Sequence, residues 1–265
     1  MRNCLTILIL IVSAMLSCPP LVKAQTAPRN PAAHAARDTN QTPDLSGRWK
    51  GPGRQFKGAG ERFIPEADDP PMLPWAEEKY KIIRRGVTDP TRQGRIDMDP
   101  MMPPHCMLPG MPRAYMRSGN IEIMQSPGRV YVLFESDPAI QRIYTDGRPH
   151  PDGAPDSFMG HSIGKWEGDT LVVETVGLND LTWIDGVGHP HTTELRVEQR
   201  FRRIDPTKLE MTMLFHDPKT YQKPWGPKTV YTMLGDDFEM MEYILCEAQQ
   251  RENLSKSWEN DKKVE

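Results

Sequence analysis

Apolar and polar residues alternate along most of the second half of the chain, in short segments separated by turn residues. The series begins at Ile121, and its last segment runs from Phe238 to Cys246. The segment 194–204 puts Leu195, Val197 and Phe201 on one face and Glu194, Arg196, Glu198, Arg200 and Arg202 on the other. A period of two is typical of antiparallel strands that bury one face. The pattern therefore predicts a mainly β protein.

Turn motifs between the segments predict how the strands connect. Ser126-Pro127-Gly128 and Glu167-Gly168-Asp169 are typical of tight hairpins. A long run of hairpin-linked strands leaves two unpaired edges, which closure into a barrel removes. We therefore predict an antiparallel up-and-down β-barrel, with a β-sandwich as the alternative.

Residues 50 to 120 interrupt this regularity with frequent proline and glycine, which favour long connections over strands. One helix is predicted there, from Trp75 to Arg85. It follows Pro74 and has an apolar face opposite a charged one. The fold is thus expected to combine a barrel, one short helix and long proline-rich connections.

The chain begins with features of an export signal. Arg2 precedes an apolar run from Leu5 to Leu16, and a small-residue cleavage pattern ends at Ala24. The alternatives are a retained membrane anchor, for which the run is short, and lipidation at Cys18. We expect a signal peptide at 1–24, no transmembrane segment, and a secreted or periplasmic protein. A disordered tether at 25–44, a single domain at 45–250 and a flexible tail at 251–265 complete the prediction.

Charge and cysteine content narrow the function classes. Lys plus Arg total 33 against 36 for Asp plus Glu, so no basic excess exists to bind nucleic-acid phosphates. Removal of the signal leaves Cys106 and Cys246. In an oxidising compartment two lone thiols tend to pair, which predicts a Cys106–Cys246 disulfide, and two buried free thiols are the alternative.

Two resemblances follow from particular motifs. Leu45-Ser46-Gly47-Arg48-Trp49 resembles the Gly-x-Trp start of lipocalin-like (calycin) barrels, which implies that Trp49 plugs a closed end. The motifs WEGDTLVV, GHPHTTELRVEQRFRR and DPKTYQKPW resemble an uncharacterised family of secreted bacterial proteins. That resemblance covers roughly 45 to 246. It implies export and one shared domain, and it implies no activity or catalytic residues.

The densest polar stretch is the connection 179–194, and connections of this length are often functional. It contains two aspartates, Asp180 and Asp185, and the histidine His191. A carboxylate that orients a histidine ring provides general acid–base chemistry near neutral pH. A loop in which these groups only satisfy the backbone is the alternative. His161, which starts a strand after a glycine, is a further candidate acid or base at the barrel mouth.

A metal site is a weaker reading of the same stretch. His189 and His191 are two positions apart, which on an extended chain puts them on one side, and Glu194 follows. The intervening Pro190 favours a turn instead. The main prediction therefore does not include a bound metal.

Other candidates complete the predicted site. Arg113 is the candidate anion partner, and the expected substrate-binding residues are Trp183, Trp225, His105 and Met111. The chain lacks a nucleophile elbow, a Walker loop, a dinucleotide fingerprint and a haem-attachment motif, so no cofactor is expected.

Together these patterns predict an enzyme of the lyase, isomerase or hydrolase type. It would act by cofactor-free acid–base chemistry on a small, partly apolar organic molecule bound in the barrel. A non-catalytic periplasmic carrier of the lipocalin type is the alternative. The sequence does not determine the ligand or the oligomeric state.

Overall fold

The computed structural model describes residues 42–51, 70–88, 99–101, 105–116, 119–135, 137–153 and 155–241. They belong to one compact unit, Asn40–Glu265. The predicted signal peptide, the tether up to residue 41 and the tail at 251–265 lie outside the described residues. Cys246 also lies outside them, so its disulfide with Cys106 stays a prediction.

The described residues form nine strands and two helices. The strands are β1 Gly47–Lys50, β2 Ile121–Ser126, β3 Arg129–Phe134, β4 Asp137–Tyr144, β5 His161–Glu167, β6 Thr170–Val176, β7 Arg196–Asp205, β8 Lys208–His216 and β9 Lys228–Met233; the helices are α1 Pro74–Thr88 and α2 Arg113–Met116. The strands pair in chain order, and β9 returns to β1 through Trp49 opposite Met233. The predicted barrel is confirmed, and the sandwich alternative is wrong.

The prediction of an all-antiparallel barrel is wrong at one junction. β4 and β5 run parallel, with Ile143 opposite Ser162 and Tyr144 opposite Ile163. The connection 145–160 must therefore carry the chain back along the barrel before β5 begins. Alternating side chains reveal which face of a strand is buried but not which way the strand runs, so the sequence pattern could not show this reversal.

The remaining differences concern element ends. The predicted helix extends from Pro74 to Thr88, and its proline occupies the first helical turn, where no backbone N–H is needed. α2 is an additional single turn whose side chains are all buried. The predicted strand 238–246 is absent from its described part, 238–241. β9 already closes the barrel against β1, so no edge remains there for a further strand.

Side chains fill the described interior of the barrel. Apolar residues from all sides surround a polar centre in which Gln141 Nε2 donates to Gln199 Oε1 at 2.8 Å and to Ser162 Oγ at 3.1 Å. Tyr115 enters from α2 and donates to Gln141 Oε1. These polar groups are buried and bonded to each other, which stabilises one packing arrangement. Burial also raises the pKa of Tyr115 well above its ordinary value.

The two ends of the barrel differ. At the turn end, the strands are joined by the two-residue turns 127–128, 168–169 and 206–207. Here the Arg203 guanidinium lies 5.3 Å from the Trp49 ring centre, and Trp49 Nε1 donates to the Leu45 carbonyl. At the loop end lie the described parts of the connection between β1 and β2, together with the long connections 177–195 and 217–227. The loop end therefore carries most of the predicted site residues.

Neither helix of the described residues is long and apolar enough to cross a membrane.

Candidate functional site

The centre of the 177–195 connection is a buried pair, Asp185 and His189. Asp185 Oδ2 accepts from His189 Nδ1 at 2.6 Å. Its other oxygen, Oδ1, accepts three backbone N–H groups, those of Val187, Gly188 and His189. Burial alone would raise the pKa of Asp185, but the His189 charge and these hydrogen bonds lower it on balance. The carboxylate therefore stays ionised and fixes the loop.

Aromatic rings enclose the His189 side. The Tyr80 ring of α1 stacks on His189 with centroids 4.4 Å apart, and Trp225 meets its edge at 5.2 Å. The His189 side chain is 1% exposed. Trp225, one of the expected substrate-binding residues, thus packs against this pair. These contacts hold the loop against α1 and the 217–227 connection. They leave the His189 ring almost inaccessible to solvent.

The predicted residues His191 and Asp180 lie in the same connection but in different surroundings. His191 is buried, and its Nδ1 donates to the Thr192 carbonyl at 3.2 Å. Burial lowers the pKa of His191, and the charges of Asp217 and Asp180 oppose this effect. Asp180 is exposed. Asp217 accepts from both the backbone N–H and the hydroxyl of Thr192, which holds the two connections together.

Arg113 is buried and already paired. Its Nη2 lies 2.6 Å from Asp99 Oδ2, and its guanidinium lies 5.2 Å from the Trp183 ring centre. The predicted anion partner therefore has an internal carboxylate beside it. Among the predicted binding residues, Met111 is part of the core and His105 is exposed.

The predicted metal candidates do not converge. His189 Nδ1 bonds Asp185, while His191 Nδ1 bonds a backbone carbonyl. Glu194 is exposed, and one of its oxygens lies 3.0 Å from Lys219 Nζ. Within the described residues no group of three or more His, Cys, Asp or Glu side chains could hold a metal ion.

His161 lies on the outside of the barrel, whereas the sequence analysis expected it at the mouth. Its neighbour Ser162 points inward to Gln141, and successive side chains of a strand point to opposite faces. The outward ring of His161 stacks on Tyr144, with centroids 5.2 Å apart and planes 18° apart. It is partly exposed.

His161 belongs to a chain of polar contacts on this outer face. Its Nδ1 lies 2.8 Å from Nδ1 of His150. His150 belongs to the connection 145–160 between β4 and β5, which we call the crossover. His150 Nε2 lies 3.3 Å from Glu174 Oε1, and Glu174 Oε2 accepts from Arg196 at 2.7 Å. We call Tyr144, His150, His161 and Glu174 the outer-face cluster. It joins β4, the crossover, β5 and β6.

The short contact between the two histidines restricts where their protons lie. Two ring nitrogens 2.8 Å apart share one proton, so one ring donates and the other accepts. His150 Nε2 is buried and makes no hydrogen bond to a described residue, although a Glu174 oxygen lies 3.3 Å away. If His150 carries its proton on Nε2, then His161 Nδ1 is the donor, and the lone pair of His161 is on Nε2, which makes no hydrogen bond to any described residue.

The electrostatics support the same protonation state. Burial lowers the pKa of His161 below its ordinary value of 6.5, and the neighbouring His150 and Arg148 side chains lower it further. Burial raises the pKa of Glu174, but the hydrogen bond and the charge of Arg196 lower it on balance. At neutral pH, a neutral His161 therefore lies in series with an ionised Glu174.

The sequence analysis missed two members of this cluster. These are His150 and Glu174, which were not among the predicted site residues. Their distance from His161 depends on the parallel β4–β5 pairing, which brings the crossover over β5. The sequence analysis also considered His189 only as a metal ligand, although the Asp-Gly-Val-Gly-His spacing permits the tight loop in which His189 meets Asp185.

A scan against models of protein families found no match to the chain, and a search of curated proteins found no relative.

The histidines predict how stability depends on pH. His161, His191 and His216 all have pKa values lowered from 6.5 by burial. Between 6.5 and these lowered values the unfolded chain binds more protons than the folded one, so stability decreases as pH falls through that window. Urea unfolding at several pH values between 7.5 and 5 should show this loss, and His191→Gln should reduce its slope. A free energy of unfolding that stays constant or increases on acidification would contradict the assignment.

Proposed function

We propose that the protein is an enzyme that acts on a small organic molecule by general acid–base chemistry, with His161 as the base at the outer-face cluster. The reaction types are those that need a proton moved at one atom: elimination, isomerisation or hydrolysis. His161 is the catalytic residue through its Nε2. His150 and Glu174 are positioning residues that fix the tautomer of the ring.

The observation that carries this proposal is the series Glu174–His150–His161, with its contacts of 3.3 Å and 2.8 Å. A partly exposed histidine on the surface of a strand does not need such partners for the protein to fold. A carboxylate acting through a second ring sets which nitrogen holds the lone pair and stabilises the positive charge that forms when His161 accepts a proton.

The proposal moves the substrate from the barrel interior to the outer face. The described interior is occupied by Gln141, Gln199, Tyr115 and their apolar neighbours, so it supports a ligand cavity less well than the outside does. The buried Asp185–His189 pair then has a positioning role in the loop-end connections. The burial of Trp49 in the core of the barrel supports a calycin-like assignment, which we propose together with an exported location.

Turnover of a defined panel tests the proposal. The purified protein is incubated in D₂O with 4-nitrophenyl esters, β-substituted carboxylic acids and β,γ-unsaturated ketones, and products are followed by proton NMR. We expect conversion of at least one class. The acid limb of its kcat/KM profile should titrate below pH 6.5, because the base must be neutral and its pKa is lowered. Conversion of no class, or an acid limb above 6.5, would contradict the proposal.

The same experiment tests the alternative that the protein is a non-catalytic carrier. A carrier would show ligand-dependent shifts of resonances from the barrel interior, with no product at any pH. The outer-face cluster would then have only a structural role.

A further inference from the structure

We infer that the outer-face cluster takes a substrate with a carboxylate group, and that Arg148, together with Arg129, binds this group beside His161. This inference rests on the proposed function, since it names the substrate class of the same site. It replaces Arg113, the anion partner expected from the sequence, which is buried against Asp99.

Arg148 is held in place before any ligand arrives. Asp146 Oδ1 accepts from Arg148 Nε at 2.9 Å, and Asp146 Oδ2 accepts from Nη2 at 2.6 Å. The guanidinium carbon lies 4.0 Å from the centre of the Tyr144 ring. The hydrogen bond from Arg148 lowers the pKa of Asp146 to about 2, so this pair stays charged at any working pH. A guanidinium fixed by a carboxylate and a ring loses little freedom when it binds a ligand.

One edge of this guanidinium remains available. Nη1 of Arg148 makes no hydrogen bond to any residue in the described part of the chain, whereas Nε and Nη2 are occupied by Asp146. The side chain is 40% exposed, so a ligand reaches it without a change of fold. A carboxylate oxygen is a favourable acceptor for such an N–H group because the bond is charge-assisted.

Tyr144 connects Arg148 to the base. His161 stacks on the Tyr144 ring, and Arg129 lies 5.5 Å from the centre of the same ring. Two guanidinium groups and the base thus gather around one aromatic side chain. Since Arg148 and His161 both lie within 5.2 Å of the Tyr144 ring centre, one small molecule can reach both the guanidinium and the histidine ring.

The two guanidinium groups at the Tyr144 ring differ in their partners. Arg148 pairs with Asp146, whereas Arg129 makes no ion pair with a carboxylate among the described residues. The charge of Arg129 is therefore available to a substrate anion.

Binding of benzoate against its neutral isostere benzamide tests the inference. Calorimetric titration of the purified protein gives the affinity, and the Cε1 proton of His161 reports the site by NMR. We expect benzoate to bind, benzamide to bind at least about tenfold more weakly, and Arg148→Gln to weaken benzoate about tenfold or more, the effect of one charge-assisted bond. Arg148→Lys should retain part of the affinity, and Arg129→Gln should weaken it severalfold.

Arg202→Gln is the matched control. Arg202 lies on the same outer surface and pairs with Asp169, but it does not contact Tyr144 in the described structure. It should leave the benzoate affinity unchanged. The melting temperatures of all variants should stay close to that of the wild type, because exposed ion pairs contribute little stability.

The outcomes separate this inference from the proposed function. If benzoate does not bind, binds no more tightly than benzamide, or binds equally to Arg148→Gln, the inference is overturned, and His161-dependent turnover of neutral molecules would still support the enzyme. If benzoate binds through Arg148 but no substrate is converted, the anion site stands and the proposed acid–base function fails.

Discussion

Replacement of His161 by glutamine is expected to lower kcat/KM by about 10²- to 10⁴-fold, the usual contribution of a positioned general base. Glutamine keeps a hydrogen-bonding group beside His150 but cannot accept and release a proton. The ring of His161 is partly exposed and on the outside of β5, so the fold should survive. Steady-state kinetics on the best substrate of the panel, together with the melting temperature, measure both effects.

His216→Gln provides a matched control for this experiment. His216 is also a partly exposed histidine of the outer face, and burial likewise lowers its pKa, but it does not contact His150 or His161 in the described structure. Its substitution should leave kcat/KM unchanged. Glu174→Gln should retain turnover and shift the acid limb to lower pH, because a neutral amide stabilises the protonated ring less. Equal activity of His161→Gln and the wild type would show that the base lies elsewhere.

Replacement of Asp185 by alanine is expected to destabilise the protein by about 3 kcal/mol or more, the cost of leaving several buried N–H donors without their acceptor. The change leaves the His189 ring and three backbone N–H groups in a buried loop without the acceptor they share. The urea midpoint should fall with little change in the dependence of the unfolding free energy on urea concentration.

The neighbouring exposed residue gives the comparison. Asp180→Ala, in the same connection, should change the free energy of unfolding by no more than about 0.5 kcal/mol. Under conditions where Asp185→Ala is still folded, its kcat should stay near the wild-type value, because the pair lies away from the outer-face cluster. A stable Asp185→Ala protein with no turnover would instead assign Asp185 the catalytic role expected from the sequence.

Local patterns were sufficient to predict most of the barrel. Hairpins such as β2–β3 and β5–β6 join strands whose alternation and turn residues lie close together in sequence. These features depend on contacts between near neighbours, which leave a clear record in the sequence.

The candidate site depends on features that such patterns do not carry. Ser162 points inward, although it is polar, because Gln141 bonds it inside the barrel. The side of β5 that His161 occupies therefore could not be inferred from hydrophobicity. The contact between His150 and His161 also requires the parallel pairing of β4 and β5. That pairing follows from the path of the crossover connection. Residue types identified His161 as reactive, but only the three-dimensional path identified its partners.

Closure of the barrel has a consequence for how the molecule folds. Each hairpin can form from a few consecutive residues, but β1 finds both its neighbours, β2 and β9, only across long stretches of chain. Pairing between distant segments is slow because much chain freedom is lost before any contact is gained. The seam between the first and last strands should therefore form late. A nascent chain still lacking β9 would expose the edge of β8 and be prone to aggregate.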